Sequence, residues 1–156
     1  MNVRAARTET KIITGIVKLA YAHIFEPYAV EGIEDYEPRY STTVIIPKTD
    51  TETLRAINAA IAKNDFEIKH ILRTPLRDGD LERPKDPLFK NSYFLNANSK
   101  NKPGVVDANV QPILDSKELD NGCYGRLTLD FYAYNENGNK GVAAGLNNIQ
   151  LVGGAM

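Results

Sequence analysis

Tyr124, Arg126, Tyr132 and Tyr134 fall at even positions of one alternating stretch, Cys123 to Asn135, which reads CYGRLTLDFYAYN. Strand side chains alternate with period two, so these four share a face with Thr128 and Asp130. Leu127, Leu129, Phe131 and Ala133 share the other, which reads as an ordinary core face. A solvated sheet face with three phenol rings and a guanidinium suits single-stranded nucleic acid. Bases stack on the rings, and the cation meets phosphate or stacks in turn. Exposed tyrosines are also ordinary strand surface, because Tyr favours strands and pairs across them.

Other binding chemistry clusters at turns. Lys140 and several asparagines follow the aromatic stretch, and Lys100 and Lys102 stand in the turn NSKNK. In an antiparallel barrel these tips can border one groove. Three stacked bases at ~1–3 kcal/mol each, with a few phosphate contacts, suffice for micromolar binding. Catalytic constellations are missing. Asp78-Gly79-Asp80 brings two carboxylates together, but Gly79 and Arg77 favour a charged turn over a Mg²⁺ or nuclease site. His23 and His70 stand in no ligand spacing with Cys123, and no phosphate loop or nucleophile elbow occurs. The reading is therefore a binding protein, with no enzyme activity, metal or cofactor.

The 156 residues suggest one domain over 1–156, with residues 1–10 loose. Nineteen basic residues oppose twenty acidic ones, so a nucleic-acid site must be a local patch. The single cysteine excludes an internal disulfide, and no segment has the length or apolarity of a membrane span or signal peptide. A cytoplasmic protein is expected.

The elements that position these residues are mostly strands. A long strand is expected over Lys11 to Phe25, with a bulge or bend at Gly15. An acidic loop follows over 26–39, then a strand from Tyr40 to Ile46 stopped by Pro47. Thr49 and Glu52 form a capping box for one helix carrying Leu54, Ile57 and Ile61 on one face and ending near Asp65. Residues 73–92 are expected to be irregular because of Pro75, Pro84 and Pro87. Seven basic residues oppose four acidic ones between Arg73 and Lys102, which makes this region a basic counterpart to the acidic loop. Short strands are expected at Tyr93 to Ala97 and within Val105 to Leu114. After the aromatic strand, Asn137-Gly138 signals a hairpin turn into a last strand, KGVAAGLNNIQLV. Five or six strands, one helix and long loops fit a mainly β, Greek-key barrel of the OB type.

Three segments carry a family resemblance: RTPLRDGD (Arg73 to Asp80), YFLNANSKNKPGVVD (Tyr93 to Asp107) and NGCYGRLTLDFYAYNENGNKGVAAGLNNIQLV (Asn121 to Val152). The chain resembles tailed-phage single-stranded-DNA-binding proteins, distantly similar to the replication single-strand binder of podophages. The resemblance implies an OB-fold that binds single-stranded DNA without sequence preference in phage replication and recombination, within the host cytoplasm. It places the groove on the matching segments, which adds Arg77 and Tyr93 to the candidates. Family members usually continue into an acidic tail that recruits replication proteins. This chain stops at Gly153-Gly154-Ala155-Met156, so a truncated form is expected, with partner recruitment lying in the missing tail. The alternative reading is a protein-interaction or scaffold module of the phage replication complex. Its tyrosine face would then be a dimer or partner interface.

Overall fold

The computed structural model describes residues 10–28, 38–62, 75–113, 122–136 and 139–153. The long first strand is broken in two, β1 (Lys11–Ile13) and β2 (Val17–Tyr28). The break falls at Gly15, whose N–H donates to Thr53 Oγ1 at 2.9 Å. A Cβ there would meet Asp50 Oδ2 at 2.8 Å, so only glycine lets the chain approach this closely. The next strand, β3, spans Arg39–Pro47, and helix α1 spans Thr51–Ala62.

The helix cap differs from the expected pair by one residue. Asp50, not Thr49, accepts from Thr53, through its N–H at 3.2 Å and its Oγ1 at 2.6 Å. The carboxylate satisfies an otherwise orphaned amide of the first turn. Ile57 and Ala60 are buried in the main core, and Leu54 and Ile61 pack against it. The expected end near Asp65 lies outside the described residues.

The proline-rich excursion is more regular than its prolines suggest. It contains β4 (Arg77–Asp78), a single helical turn α2 (Gly79–Glu82) and a 3-10 turn (Pro87–Phe89). Asp78 and Asp86 start the two turns by accepting from Asp80 and Leu88 N–H. Phe89 then packs edge-on against Phe94 at 5.0 Å, above Ala20 and Ile45. The Arg83 guanidinium covers both rings. Gly79 makes this seat possible, since a Cβ there would lie 2.4 Å from the Phe89 carbonyl oxygen.

Lys48 ties the excursion to the barrel, reaching Asp78 at 3.0 Å and Asp80 at 2.9 Å. Hydrogen bonds to Asp80, then Asp78, hold its ammonium up to about 12, and the same bond lowers the Asp80 carboxyl. A lowered carboxyl stabilises the fold above its unfolded value, and that contribution fades as pH falls through the folded one. Asp80→Asn is therefore expected to lower the melting temperature at pH 7, with the gap to the parent narrowing below about pH 4. A gap constant from pH 7 to pH 3 would show that the Asp80 charge is not the tie.

The remaining strands are β5 (Ser92–Ser99), β6 (Gly104–Val106), β7 (Cys123–Glu136) and β8 (Asn139–Gly153). The short strand expected within Val105 to Leu114 is β6, which ends at Val106 because Asp107 folds the chain back. Its carboxylate accepts from Asn109 and Gln111 N–H, and Val106 bridges Pro112. Register between β7 and β8 runs to Glu136↔Asn139, which leaves the two-residue connection Asn137-Gly138 outside the described residues.

Pairing closes a circuit: β2 with β3, β3 with β5, β5 with β8, β8 with β7, and β7 with β2. The β5–β8 pair is parallel and the other four are antiparallel. This is the five-stranded Greek-key barrel of the OB-fold. Leu19, Ile24, Val44, Leu95, Leu127, Leu129 and Phe131 fill its core. Among the described residues no helix is long and apolar enough to cross a membrane.

Candidate functional site

In an OB barrel the ligand face lies on the second and third barrel strands and the loops flanking them. Here those strands are β3 and β5. The Phe89–Phe94 cluster covers one end of their outer face. Beyond it the face turns polar, with Thr43 Oγ1 donating to Asn96 Oδ1 at 2.8 Å.

One row of cross-strand partners runs from this face around the barrel. His23 pairs Ser41, Ser41 pairs Asn98, Asn98 pairs Gly145 and Gly145 pairs Asp130. On the next strand Lys11 stands opposite Asp130. Small residues at Ser41 and Gly145 keep the row low, and larger groups stand at its borders. At one end His23 and Tyr28 stack at 4.5 Å, and Arg39 Nη1 donates to Asn98 Oδ1 at 3.0 Å. At the other end the Tyr132 ring lies against Gly145, where a Cβ would be 3.5 Å from Tyr132 Cε1. Tyr132 is 41% exposed, which leaves part of its surface available as a plate. One Asp130 carboxyl oxygen is buried without a hydrogen-bond partner.

A bulge shapes the β2 side. Between Ala20↔Thr43 and His23↔Ser41 the register shifts, and Tyr21 adopts φ 49° and is 53% exposed. A left-handed non-glycine residue costs about 1–3 kcal/mol and persists where its surroundings enforce it. Such bulges re-aim side chains beside functional sites.

The structure brings only some of the sequence candidates to this row. Tyr132 borders it. Tyr134 and Lys140 continue the same hairpin, opposite Gly141 and Asn135, with side chains outside the described ones. Lys102 lines a polar pocket just past the row with Lys11, and Lys100 is exposed on the neighbouring turn. Tyr124 stands eight residues from Tyr132, roughly 26 Å along the strand, opposite Lys18. Arg126 lines a groove with Ile13, Val106 and Gln150 that shares Thr128 and Asn148 with the Lys102 pocket. Arg77 pairs with Glu82 at 3.0 Å, and Tyr93 lies beneath Lys48 at 5.1 Å. These last two belong to the contacts that seat the excursion.

His23, Tyr28, Arg39, Asn96 and Asn98 were not singled out by sequence. The alternation of polar Ser41 and Thr43, and of Asn96 and Asn98, between buried neighbours is the signal that marks their face.

Comparison with known proteins agrees with the fold. The profile described as Enterobacter phage Enc34, ssDNA-binding protein, matches residues 10–155. Protein p50 of Acyrthosiphon pisum secondary endosymbiont phage 1 is 33% identical over 157 residues, covering 90% of this chain and 82% of p50. The single-stranded DNA-binding protein of bacteriophage Enc34, solved in complex with ssDNA, superposes with a TM-score of 0.83 at 19% identity, over 94% of this chain and 88% of that one. The single-stranded DNA-binding protein gp2.5 of bacteriophage T7 gives 0.71 at 15% identity, over 96% and 94%. Matched by the profile over nearly its whole length, the chain belongs to the Enterobacter phage Enc34 ssDNA-binding protein family.

Proposed function

We propose that this chain binds single-stranded DNA across the row, transverse to the strands, without reading sequence. The observation that carries the reading is the unbroken register from His23 through Ser41, Asn98 and Gly145 to Asp130, bordered by exposed aromatic rings and Arg39. Base stacking on Tyr132 and on the His23–Tyr28 pair supplies sequence-tolerant affinity. Arg39 supplies phosphate contact, and Asn96 and Asn98 offer amides to base edges. The binding role is that of a non-catalytic coat on exposed strands during phage DNA replication and recombination in the host cytoplasm, and it extends to docking of phage replication proteins. Membership of the family and the polar OB face support this reading together.

The test is a titration of a fluorescent oligothymidine of about thirty nucleotides, a length that exceeds one OB site. Low and high salt are compared, with a duplex of equal length beside them. Salt-sensitive binding that favours the single strand is expected. Absence of binding at low salt would overturn the proposal and assign the tyrosine face to a protein partner.

A further inference from the structure

Past the end of the row, at the C-terminal end of β5, lies a polar pocket of about 390 Å³. Lys11 of β1, Ser99 at the end of β5, Asn101 and Lys102 of the β5–β6 turn, and Asn147 and Asn148 of β8 line it. Among the described residues no carboxylate lines it and neither lysine has an ion-pair partner. Asp130 stands opposite Lys11 in register, yet their charged groups make no ion pair.

Two local features build the pocket. Register slips between Thr128↔Asn148 and Leu129↔Leu146, so Asn147 is an extra, bulged residue of β8. There β8 also changes partner, from β5 at Asn98↔Gly145 to β6 at Gly104↔Asn148. Gly104 leaves room for the Asn148 side chain, since a Cβ there would lie 2.9 Å from Asn148 Oδ1. The result is two lysines and three asparagines lining one concavity, side chains whose donors suit a cluster of phosphate oxygens.

Resting on the binding path proposed above, we propose that this pocket is a phosphate subsite, which takes the DNA backbone as the strand leaves the row over β1. The row then orders bases against Tyr132, and the pocket anchors the phosphates that follow. A strand long enough to cross β8 engages both, whereas a very short one fills only the row.

The test compares the parent with Lys11→Gln/Lys102→Gln on two oligothymidines, of about five and about fifteen nucleotides, within the span of one OB site. Each lost phosphate contact removes about 0.7 from the slope of log affinity against log salt. On the longer strand the double variant is expected to bind about 25-fold more weakly at 0.1 M salt, with a slope shallower by about 1.4. On the short strand the loss is expected to be at least fivefold smaller. Lys11→Arg/Lys102→Arg is expected to keep the parental slope. An unchanged slope on the longer strand, or equal losses on both strands, overturns the subsite. Tyr132→Ala on the short strand separates this from the wider reading. If that variant binds like the parent, the path over the row is wrong, whatever the lysines do.

Discussion

Replacing Leu129 by alanine is expected to lower stability by about 2–5 kcal/mol while leaving the DNA affinity of the folded protein nearly unchanged. Leu129 is fully buried in the main core of the barrel. Its register partners are Ile12 of β1 and Leu146 of β8, both buried, so truncation leaves a cavity walled by three strands. Strands in a closed barrel cannot collapse inward independently, because each is hydrogen-bonded on both edges. The cost therefore includes a cavity contribution beyond the lost transfer energy. Urea denaturation measures it. A silent Leu129→Ala would mean that the inner and outer faces of β7 are assigned the wrong way round.

Tyr132→Ala, three residues along the same strand, is expected to do the opposite. Losing one stacking plate weakens single-strand binding by about 1–3 kcal/mol, or 5- to 150-fold in affinity. Stability changes little, because the ring is 41% exposed and its partner across the strand pair is Ala143. Tyr132→Phe retains the plate and is expected to retain most of the affinity. Tyr124→Ala removes an equally exposed ring at the far end of β7 and is expected to cost much less, because Tyr124 borders Lys18 rather than the row. Equal losses for Tyr124→Ala and Tyr132→Ala, measured by fluorescence anisotropy, would show that DNA follows β7 lengthwise instead of crossing it.

Local patterns in the chain were legible because each depends on neighbours in sequence. Alternation separated Leu127, Leu129 and Phe131 from Tyr124, Arg126 and Tyr132, and the structure keeps that division. Gly15 marked a break because a residue without Cβ is needed where the chain passes Asp50. The cap moved from Thr49 to Asp50 because both have a polar residue three positions on, and only the tertiary contact of Thr53 with Gly15 separates them.

The site was legible only in part. Tyr132 stands in a recognisable strand, but His23, Ser41, Asn98 and Gly145 are far apart in sequence and meet only through barrel closure. The decisive contact is the parallel pairing of β5 with β8, which no local pattern announces. Grouping the tyrosines by strand also concealed their separation, since a shared face does not bring residues 124 and 132 together. Charge and aromaticity at Arg77 and Tyr93 carry no record of the partners they have in the fold. Glu82 and Lys48 are those partners.

The path of the DNA is the central claim, and backbone-amide chemical shifts map it most directly. An oligothymidine of about ten nucleotides, within the span of one OB site, would be added to isotope-labelled protein. The account predicts perturbations along His23, Ser41, Asn98, Gly145 and Asp130 and beside Tyr132, with little change around Arg77 and Tyr93. Perturbations confined to the groove of Arg126, Ile13 and Val106, with the row unmoved, would contradict it.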